Sequence, residues 1–377
     1  MTVFTNARVV TRHAVFPGTV AVDGQVIARV DEGRAQLAAA LDLGGDYLVP
    51  GAVELHTDVL ERHATPRPGV NWPELAAVAA YDSQLAGAGI TTVLDSLAIG
   101  YLYDTGQRPR NPRPLVEAIR RARVSGLLRV DHYLHMRCEV STALVVEDFE
   151  PFAGDPLVRL VSMMDHAPGQ RQFVSIEKYR EYNQGRYGLS DAQLDDLVRA
   201  RLEERAKYAD LHRAAIGALC RKHGLITASH DDATAAHVDE AVQGGAAIAE
   251  FPTTLEAARA AREHGLAVLA GAPNLVRGRS HSGNVSTAEL AEQRLLDVLS
   301  SDYVPASILH GAFLLNLRHA LPLPEAVAAV SLTPARRVGL DDRGEIAPGK
   351  RADLVRVRVA DDLAVVRGVW CGGERVA

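Results

Sequence analysis

The feature that most constrains the fold is a pattern that repeats between residues 49 and 340: a helical segment, a glycine, an apolar run and a polar end. Gly89, Gly126, Gly224 and Gly265 each precede such a run, and glycine commonly follows the last turn of a helix. Near-continuous apolar runs are typical of parallel strands that are covered on both faces. Eight of these units predict a closed (β/α)8 barrel, with an open doubly wound sheet as the alternative.

The two chain ends have a different texture, with short β-rich runs between turn signals. Asp23-Gly24 marks a hairpin near the N-terminus, and a β-rich run from Asp353 to Val359 lies near the C-terminus. Neither end is long enough to bury a good core alone. We therefore predict a small β-sandwich domain, formed by residues 1–48 together with 343–377, beside a catalytic barrel of residues 49–342.

Polar groups that can bind a metal follow nearly every predicted barrel strand. His56 and Asp58 stand two residues apart, so an extended chain would aim both side chains to the same side. In a barrel of this kind, the chemistry collects at the carboxyl ends of the strands. Imidazole and carboxylate groups suit divalent ions such as Zn²⁺ or Mn²⁺. The predicted ligands of one or two such ions are His56, Asp58, Glu139, His166, His230 and Asp302.

Other polar residues near the predicted strand ends have a structural explanation as well. Asp95 can cap the following helix, and His132 can be a packed core histidine. Glu250 can orient a metal ligand or bond the start of the next helix. Asp231 and Asp232 can both stand at the start of the next helix, where the helix dipole favours a carboxylate.

Metal chemistry explains why these residue types would be gathered at one place. A bound divalent ion lowers the pKa of a coordinated water molecule toward neutrality. Asp302, after the last predicted strand, is the candidate general base for that water. Glu139 is the candidate for a carboxylate that bridges two ions.

A second group of residues predicts that the substrate carries phosphate. The segment after the seventh strand is rich in glycine, hydroxyl groups and arginine, and it leads into a helix that Ser286 opens. Backbone amides, hydroxyls and an arginine fork at a helix start suit phosphate oxygens, although each arginine alone is equally explained as a solvated loop side chain. The Gly-x-x-x-x-Gly-Lys motif of a P-loop is absent. The predicted substrate-binding residues are Arg67, Arg171, Asn274, Arg277, Ser280, His281, Ser282 and Asn284.

Composition argues against several classes of protein. The net charge of −6 does not favour a general nucleic-acid surface. The sequence has no run of about 18 apolar residues, so it predicts no membrane span. The first residues lack the features of a signal peptide. Three widely spaced cysteines do not make a disulfide framework. We expect a cytoplasmic protein, and the sequence leaves its oligomeric state open, with a homo-oligomer among the options.

Longer blocks of the sequence resemble a known family. The segment Gly344-Glu-Ile-Ala-Pro-Gly349 is similar to the closing segment of the amidohydrolase superfamily, whose members have a metal barrel and a small β domain. Within that superfamily, the chain closely resembles the PhnM family of phosphonate metabolism over essentially its whole length. The blocks that carry this resemblance are Glu54-Leu-His-Thr-Asp58, Met164-Asp-His166, Ala228-Ser-His-Asp-Asp232, Glu250-Phe-Pro-Thr-Thr254, Ser280-His-Ser-Gly-Asn284 and Ser300-Ser-Asp-Tyr303.

The resemblance implies metal-dependent hydrolysis of α-D-ribose 1-methylphosphonate 5-triphosphate to 5-phospho-α-D-ribose 1-methylphosphonate and diphosphate, ahead of a carbon–phosphorus lyase step. A phosphorylated ribose is then the small-molecule substrate, and Asp302 and His281 are the predicted catalytic residues. Two features depart from the wider superfamily. His-x-Asp stands on the first strand where His-x-His is commoner, and no lysine stands where a carboxylated bridging lysine is expected at the fourth strand.

Two other functions stay open on the sequence alone. The same scaffold supports cyclic-amide hydrolysis or deamination, because one barrel can host many chemistries. The second alternative is a non-catalytic protein: a scaffold subunit of a phosphonate-processing assembly, whose barrel binds no metal. The Ser280–Asn284 segment favours a phosphorylated substrate over a cyclic amide.

Overall fold

The computed structural model of the protein describes residues 1–100, 111–173, 175–280 and 283–377. Its strands form two sheets, one from the chain ends and one from the central residues. In chain order the strands are β1 (Thr2–Val10), β2 (Val15–Asp23), β3 (Val26–Glu32), β4 (Leu41–Asp42), β5 (Tyr47–Pro50), β6 (Ala52–Thr57), β7 (Ile90–Ile99), β8 (Asp131–Glu139), β9 (Val158–Met164), β10 (Ile226–His230), β11 (Ile248–Glu250), β12 (Ala267–Gly271), β13 (Val298–Ser300), β14 (Leu354–Ala360), β15 (Leu363–Cys371) and β16 (Glu374–Arg375).

The central sheet is a nearly closed parallel barrel. Its strands follow one another in chain order from β6 to β13, and every ladder between neighbours is parallel. A buried apolar cluster that includes Leu55, Leu94, Leu160 and Ile248 brings together strands from around the barrel. The predicted (β/α)8 barrel is confirmed. The doubly wound alternative is excluded, because its strand order would reverse at a switch point.

The first and last barrel strands meet through a side chain in the described structure. The Glu54 carboxylate on β6 accepts hydrogen bonds from the Ser300 hydroxyl and the Ser301 amide, both at 2.6 Å. It also accepts one from the His56 amide at 2.7 Å. The Asp302 amide donates to the His56 carbonyl oxygen at 3.1 Å. Glu54 therefore joins the two strands and places Asp302 beside His56.

Helices connect the barrel strands and cover the outside of the barrel. The two capping boxes that the sequence predicts, Ser190 with Gln193 and Ser286 with Glu289, are both present. In the described residues the α-helices are α1 (Val59–Ala64), α2 (Glu74–Gly87), α3 (Arg113–Val124), α4 (Val145–Ala153), α5 (Ile176–Tyr187), α6 (Asp191–His223), α7 (Ala235–Gln243), α8 (Leu255–Glu263), α9 (Ala272–Arg277), α10 (Thr287–Glu292), α11 (Ser307–His319), α12 (Leu323–Ala328) and α13 (Leu332–Arg337). None of these helices is long and apolar enough to cross a membrane.

The chain ends form the second sheet, which confirms the predicted β domain built from both ends. Its strands are ordered β16-β15-β14-β5-β1-β2-β3, with β4 beside β1. The pairs are antiparallel except where β1 runs parallel to β4 and β5. The sheet packs around its own core, in which the rings of Phe4 and Trp370 meet edge to face at 4.8 Å.

The chain passes from the end sheet to the barrel at Gly51, between β5 and β6. A Cβ at this position would overlap the Thr91 hydroxyl, so only glycine fits the crossing. Val355 and Val369 of the end sheet belong to the same buried cluster as the barrel helices. The proposed limits of the two domains, at residues 48 and 342, remain a prediction.

Two barrel strands differ from the sequence-based expectation. β7 continues to Ile99 and β8 runs from Asp131 to Glu139, so neither Asp95 nor His132 ends a strand, and that expectation is wrong. The apolar run after Asp95 continues the strand without a break, and an apolar run carries no mark of its own end. His132 is a buried histidine held by carboxylates, with Asp95 2.8 Å from Nδ1 and Asp82 3.4 Å from Nε2.

Candidate metal centre

The carboxyl ends of the barrel strands carry unusual backbone angles. Asp231 follows β10 with a φ of 56°, Phe251 follows β11 with 53°, and Asp302 follows β13 with 50°. Left-handed backbone is costly for residues that have a Cβ, and such strain collects at functional sites. The three left-handed residues at this rim of the barrel therefore indicate a functional site there.

Three histidines lie at this rim, and a carboxylate holds one ring nitrogen of each. His56 on β6 and His230 on β10 both place Nδ1 3.2 Å from an oxygen of Glu250. His166, which follows β9, places Nδ1 2.6 Å from Glu139. A carboxylate at Nδ1 keeps the proton on that nitrogen, so the lone pair of Nε2 is left for a metal.

Asp231 lies between the Nε2 atoms of two of these histidines. Its Oδ2 is 3.5 Å from Nε2 of His230 and 3.6 Å from Nε2 of His166. Burial on its own would raise the pKa of Asp231, but His230, His166 and His56 together hold that pKa below its usual value. Asp231 is therefore an ionised carboxylate surrounded by imidazoles, which is a metal-ligand environment.

The donor groups fit a divalent ion. Two sets of three residues have ligand atoms that all lie within 4.8 Å of one another: His56, His230 and Glu250, and His166, His230 and Asp231. Zinc ligands at about 2.0–2.2 Å from the ion are roughly 3.3 Å apart, so a modest inward movement would close either set around an ion. Glu250 already contacts Nδ1 of His56 and of His230, so Nε2 is the ring nitrogen that remains for an ion.

Glu250 is itself held by a buried network. The Ser162 hydroxyl lies 2.5 Å from its carboxylate and also contacts Nε2 of His135. Nδ1 of His135 lies 2.9 Å from the Leu55 carbonyl oxygen, so both nitrogens of this ring have protein partners. Burial lowers the pKa of His135 to about 3. His135 is therefore a neutral structural group that supports Glu250.

Asp302 faces the site from the end of the last strand. Burial raises the pKa of Asp302 to about 7, the negative charge of Asp58 adds to the rise, and Arg137 opposes it. A carboxyl group with a pKa near the working pH suits a general base. Asp58 lies between two guanidinium groups, 3.9 Å from Nη1 of Arg137 and 3.9 Å from Nη2 of Arg62.

The structure brings only some of the predicted metal ligands into the donor sets. His56, His166 and His230 belong to the donor sets found among the described residues, whereas Asp58, Glu139 and Asp302 do not. Glu139, the predicted bridging carboxylate, instead binds Nδ1 and the backbone amide of His166. The role of each residue in metal binding remains a prediction.

Arg171 has protein partners of its own. Its guanidinium is only 4% exposed and binds the carboxylates of Asp232 and Glu240. Asp232 lies directly beyond the end of β10, so this contact braces the strand that carries His230. A contact between Arg171 and substrate remains a prediction. In the structure, the guanidinium binds the carboxylates of Asp232 and Glu240.

The other predicted substrate-binding residues lie in α9 and in two connecting segments. Asn274 in α9 has a buried Oδ1 atom that lacks a hydrogen-bond partner among the described residues. Arg277 at the end of α9 and Arg67 after α1 are exposed. Ser280 and Asn284, between α9 and α10, are half-buried. The predictions that fall outside the described residues are those for His281 and Ser282.

Two members of the donor sets were not predicted as ligands. Asp231 has a helix-start explanation from sequence, and the structure instead places its carboxylate beside two imidazole nitrogens. Its position next to His230 was the available signal. For Glu250, the sequence offered an orienting role as one of two alternatives, and the observed contacts with His56 and His230 match that role.

Comparison with known proteins connects this geometry to a family. Residues 74–377 match the model of the amidohydrolase family, whose members are metal-dependent hydrolases. The chain is 46% identical over 376 residues to the alpha-D-ribose 1-methylphosphonate 5-triphosphate diphosphatase of Escherichia coli (strain K12). The aligned region covers 99% of this chain and 100% of that protein. A dihydroorotase of Methanopyrus kandleri is 34% identical over 116 residues, 26% of each chain.

Solved structures show the same fold at low sequence identity. N-acetyl-D-glucosamine-6-phosphate deacetylase from Mycobacterium smegmatis superposes with a TM-score of 0.64 at 20% identity, covering 100% of both chains. Dihydropyrimidinase from Brevibacillus agri superposes with a TM-score of 0.63 at 12% identity, covering 100% of this chain and 94% of that one. The chain therefore belongs to the amidohydrolase family and, within it, to the family of the alpha-D-ribose 1-methylphosphonate 5-triphosphate diphosphatases.

Proposed function

We propose that this protein hydrolyses α-D-ribose 1-methylphosphonate 5-triphosphate to 5-phospho-α-D-ribose 1-methylphosphonate and diphosphate, in phosphonate catabolism. The observation that carries the proposal is the 46% identity to a diphosphatase over 99% of the chain. The rim site supports it, because donors for a divalent ion lie beside Asp302, whose pKa is raised to about 7 by burial.

The residues at the rim fit a divalent ion, and both Zn²⁺ and Mn²⁺ suit such donors. His166 and His230 would hold it through Nε2, together with Asp231, while His56 belongs to the second donor set, which shares His230. Such an ion, when bound, makes water more acidic and neutralises charge on phosphoryl oxygens. The carboxylates of Glu139 and Glu250 would keep the three rings in the orientation that binding needs.

Asp302 would move the proton in the reaction. Water forms a bond to the α-phosphorus, and the bond from that phosphorus to the oxygen that bridges to the β-phosphate breaks, with its electron pair staying on that oxygen of the departing diphosphate. The attacking water loses a proton, which the Asp302 carboxylate accepts. Its half-buried position and the pKa of about 7 that burial gives it let the group accept a proton and release it again near neutral pH.

Phosphorus NMR of the metal-loaded protein with the ribose triphosphate tests the proposal. We expect diphosphate and the 5-phospho product to appear in equal amounts. Release of orthophosphate in place of diphosphate would contradict the cleavage position, and absence of turnover would contradict the function. A parallel assay with dihydroorotate tests the cyclic-amide alternative, for which the match to a dihydroorotase covers only 26% of the chain.

A further inference from the structure

Arg137 lies on the same side of β8 as two residues of the candidate metal centre. Side chains alternate along a strand, so His135, Arg137 and Glu139 project to one face. Glu139 contacts His166, and Nε2 of His135 is 3.8 Å from Glu250. Arg137 therefore points into the barrel mouth between these contacts.

The guanidinium of Arg137 is buried without its full set of hydrogen bonds. The residue is 8% exposed, and neither Nε nor Nη1 has a hydrogen-bond partner within the described part of the chain. Asp58 is 3.9 Å from Nη1, which is an ion-pair distance too long for a hydrogen bond. Buried donors are nearly always paired, because an unmet donor in a dry environment is costly.

The surroundings of Arg137 are acidic, whereas the proposed substrate is a polyanion. Asp58, Asp231 and Asp302 lie at this rim, so an incoming triphosphate needs positive charge inside the mouth as well as metal. Arg171 is engaged by Asp232 and Glu240, and Arg62 has a side chain that is 58% exposed. Arg137 differs from both because it is buried and still has donors to offer.

Resting on the proposed function, we propose that Arg137 binds the phosphoryl chain of the substrate and the diphosphate that leaves it. A guanidinium presents a planar fork of donors that matches two phosphoryl oxygens. The unpaired Nε and Nη1 atoms lie on different edges of the guanidinium, so each would donate to a phosphoryl oxygen of its own, and negative charge that develops on the leaving diphosphate would be stabilised by these contacts. The ion pair with Asp58 holds the guanidinium in place before substrate arrives.

Diphosphate binding distinguishes this role from simple balancing of the Asp58 charge. The variants are Arg137→Met, Arg137→Gln and, as a matched control, Arg159→Met. Arg159 also lies on a barrel strand, and its buried Nε has no hydrogen-bond partner among the residues that the structure describes, but it stands near the start of β9, away from the rim. Each metal-loaded protein is assayed for KM and for inhibition by diphosphate, and its metal content is measured.

We expect KM and the diphosphate inhibition constant to rise about 10- to 100-fold in both Arg137 variants, the range of one charged hydrogen-bond pair. Metal content should stay at the wild-type value, and Arg159→Met should behave like wild type. Unchanged diphosphate inhibition in either Arg137 variant, or an equal loss in Arg159→Met, would overturn the assignment. If wild type releases no diphosphate from the ribose triphosphate, the proposed function fails instead, and calorimetric binding of diphosphate still decides the role of Arg137.

Discussion

Glu250 is the residue on which the orientation of two predicted metal ligands depends. Its carboxylate lies 3.2 Å from Nδ1 of both His56 and His230. In Glu250→Gln, the amide can accept only one such bond and turns its NH₂ group toward the other ring. We expect metal affinity to fall about 10- to 100-fold, the usual effect of losing such a partner, in a chelator-competition titration.

The matched control for this variant is Glu240→Gln. Glu240 on α7 binds Arg213 of α6 and Arg171 of the segment after β9, and it does not contact His56, His166 or His230 in the described structure. Its substitution should leave the metal affinity at the wild-type value. An unchanged affinity in Glu250→Gln would show that its carboxylate does not orient the ligands.

Asp302 is expected to be needed for turnover and not for folding. Asn tolerates the left-handed backbone of position 302, so Asp302→Asn should keep its unfolding midpoint while kcat falls about 10²- to 10⁴-fold. Asp361→Asn is the matched control, because Asp361 has nearly the same backbone angle, φ of 51°, and is exposed between β14 and β15. Retention of most activity by Asp302→Asn would rule out its role as the proton acceptor.

His132 should make stability depend on pH. Burial lowers the pKa of His132, but the carboxylates of Asp95 and Asp82 outweigh burial and raise that pKa to about 9. The unfolded value is about 6.5, so the folded state binds the extra proton between these values. The stabilisation is therefore complete below about pH 6.5, and it is lost as the pH rises through about 9.

Urea unfolding of wild type and His132→Asn across this pH range tests the effect. We expect the variant to lose roughly 3–5 kcal/mol at pH 6, since the buried Asp95 and Asp82 carboxylates then lose a shared cation, and the difference to shrink toward pH 9. His264→Asn removes a surface pair with Asp239 and should cost less than about 1 kcal/mol at every pH. A pH-independent difference for His132→Asn would contradict a protonated His132.

At the scale of elements, the Glu54 carboxylate contributes two hydrogen bonds to the contact between β6 and the end of β13. Glu54 accepts hydrogen bonds from Ser300, Ser301 and the His56 amide. Glu54→Gln places an NH₂ group against these donors, so we expect a loss of roughly 1–3 kcal/mol in unfolding free energy by urea titration. Glu117→Gln, on the exposed face of α3, should change stability by less than about 0.5 kcal/mol. Equal stabilities of the two variants would show that Glu54 does not hold the strands together.

The elements also show where sequence reasoning was sufficient. Glycines after helices and apolar runs placed all eight barrel strands, and the Ser190 capping box placed the start of α6. β7 and β8 ended later than predicted, because the apolar pattern of a strand covered on both faces does not show where its pairing stops. Arg137 lies inside β8, so a search confined to predicted strand ends did not find it.

At the scale of the whole molecule, the sequence indicated which strands carry the site but not how the side chains contact one another. His56, His166 and His230 were predicted from their positions after apolar runs, and the structure brings them to one rim. Which carboxylates bind a metal and which orient an imidazole depends on distances across the barrel. Spacing along the chain carries no such information, so it did not show that Glu139 lies at Nδ1 of His166 and Asp231 at its Nε2.

The central claim is that His166 and His230 bind an ion through Nε2, beside Asp231, while carboxylates hold Nδ1 of both rings. Anomalous diffraction at the absorption edge of the metal, from crystals of the metal-loaded protein, tests it most directly. We expect an anomalous peak about 2.0–2.2 Å from Nε2 of His166 and of His230, with Asp231 beside it. A peak bonded to Nδ1 of these rings, or located away from them, would contradict it.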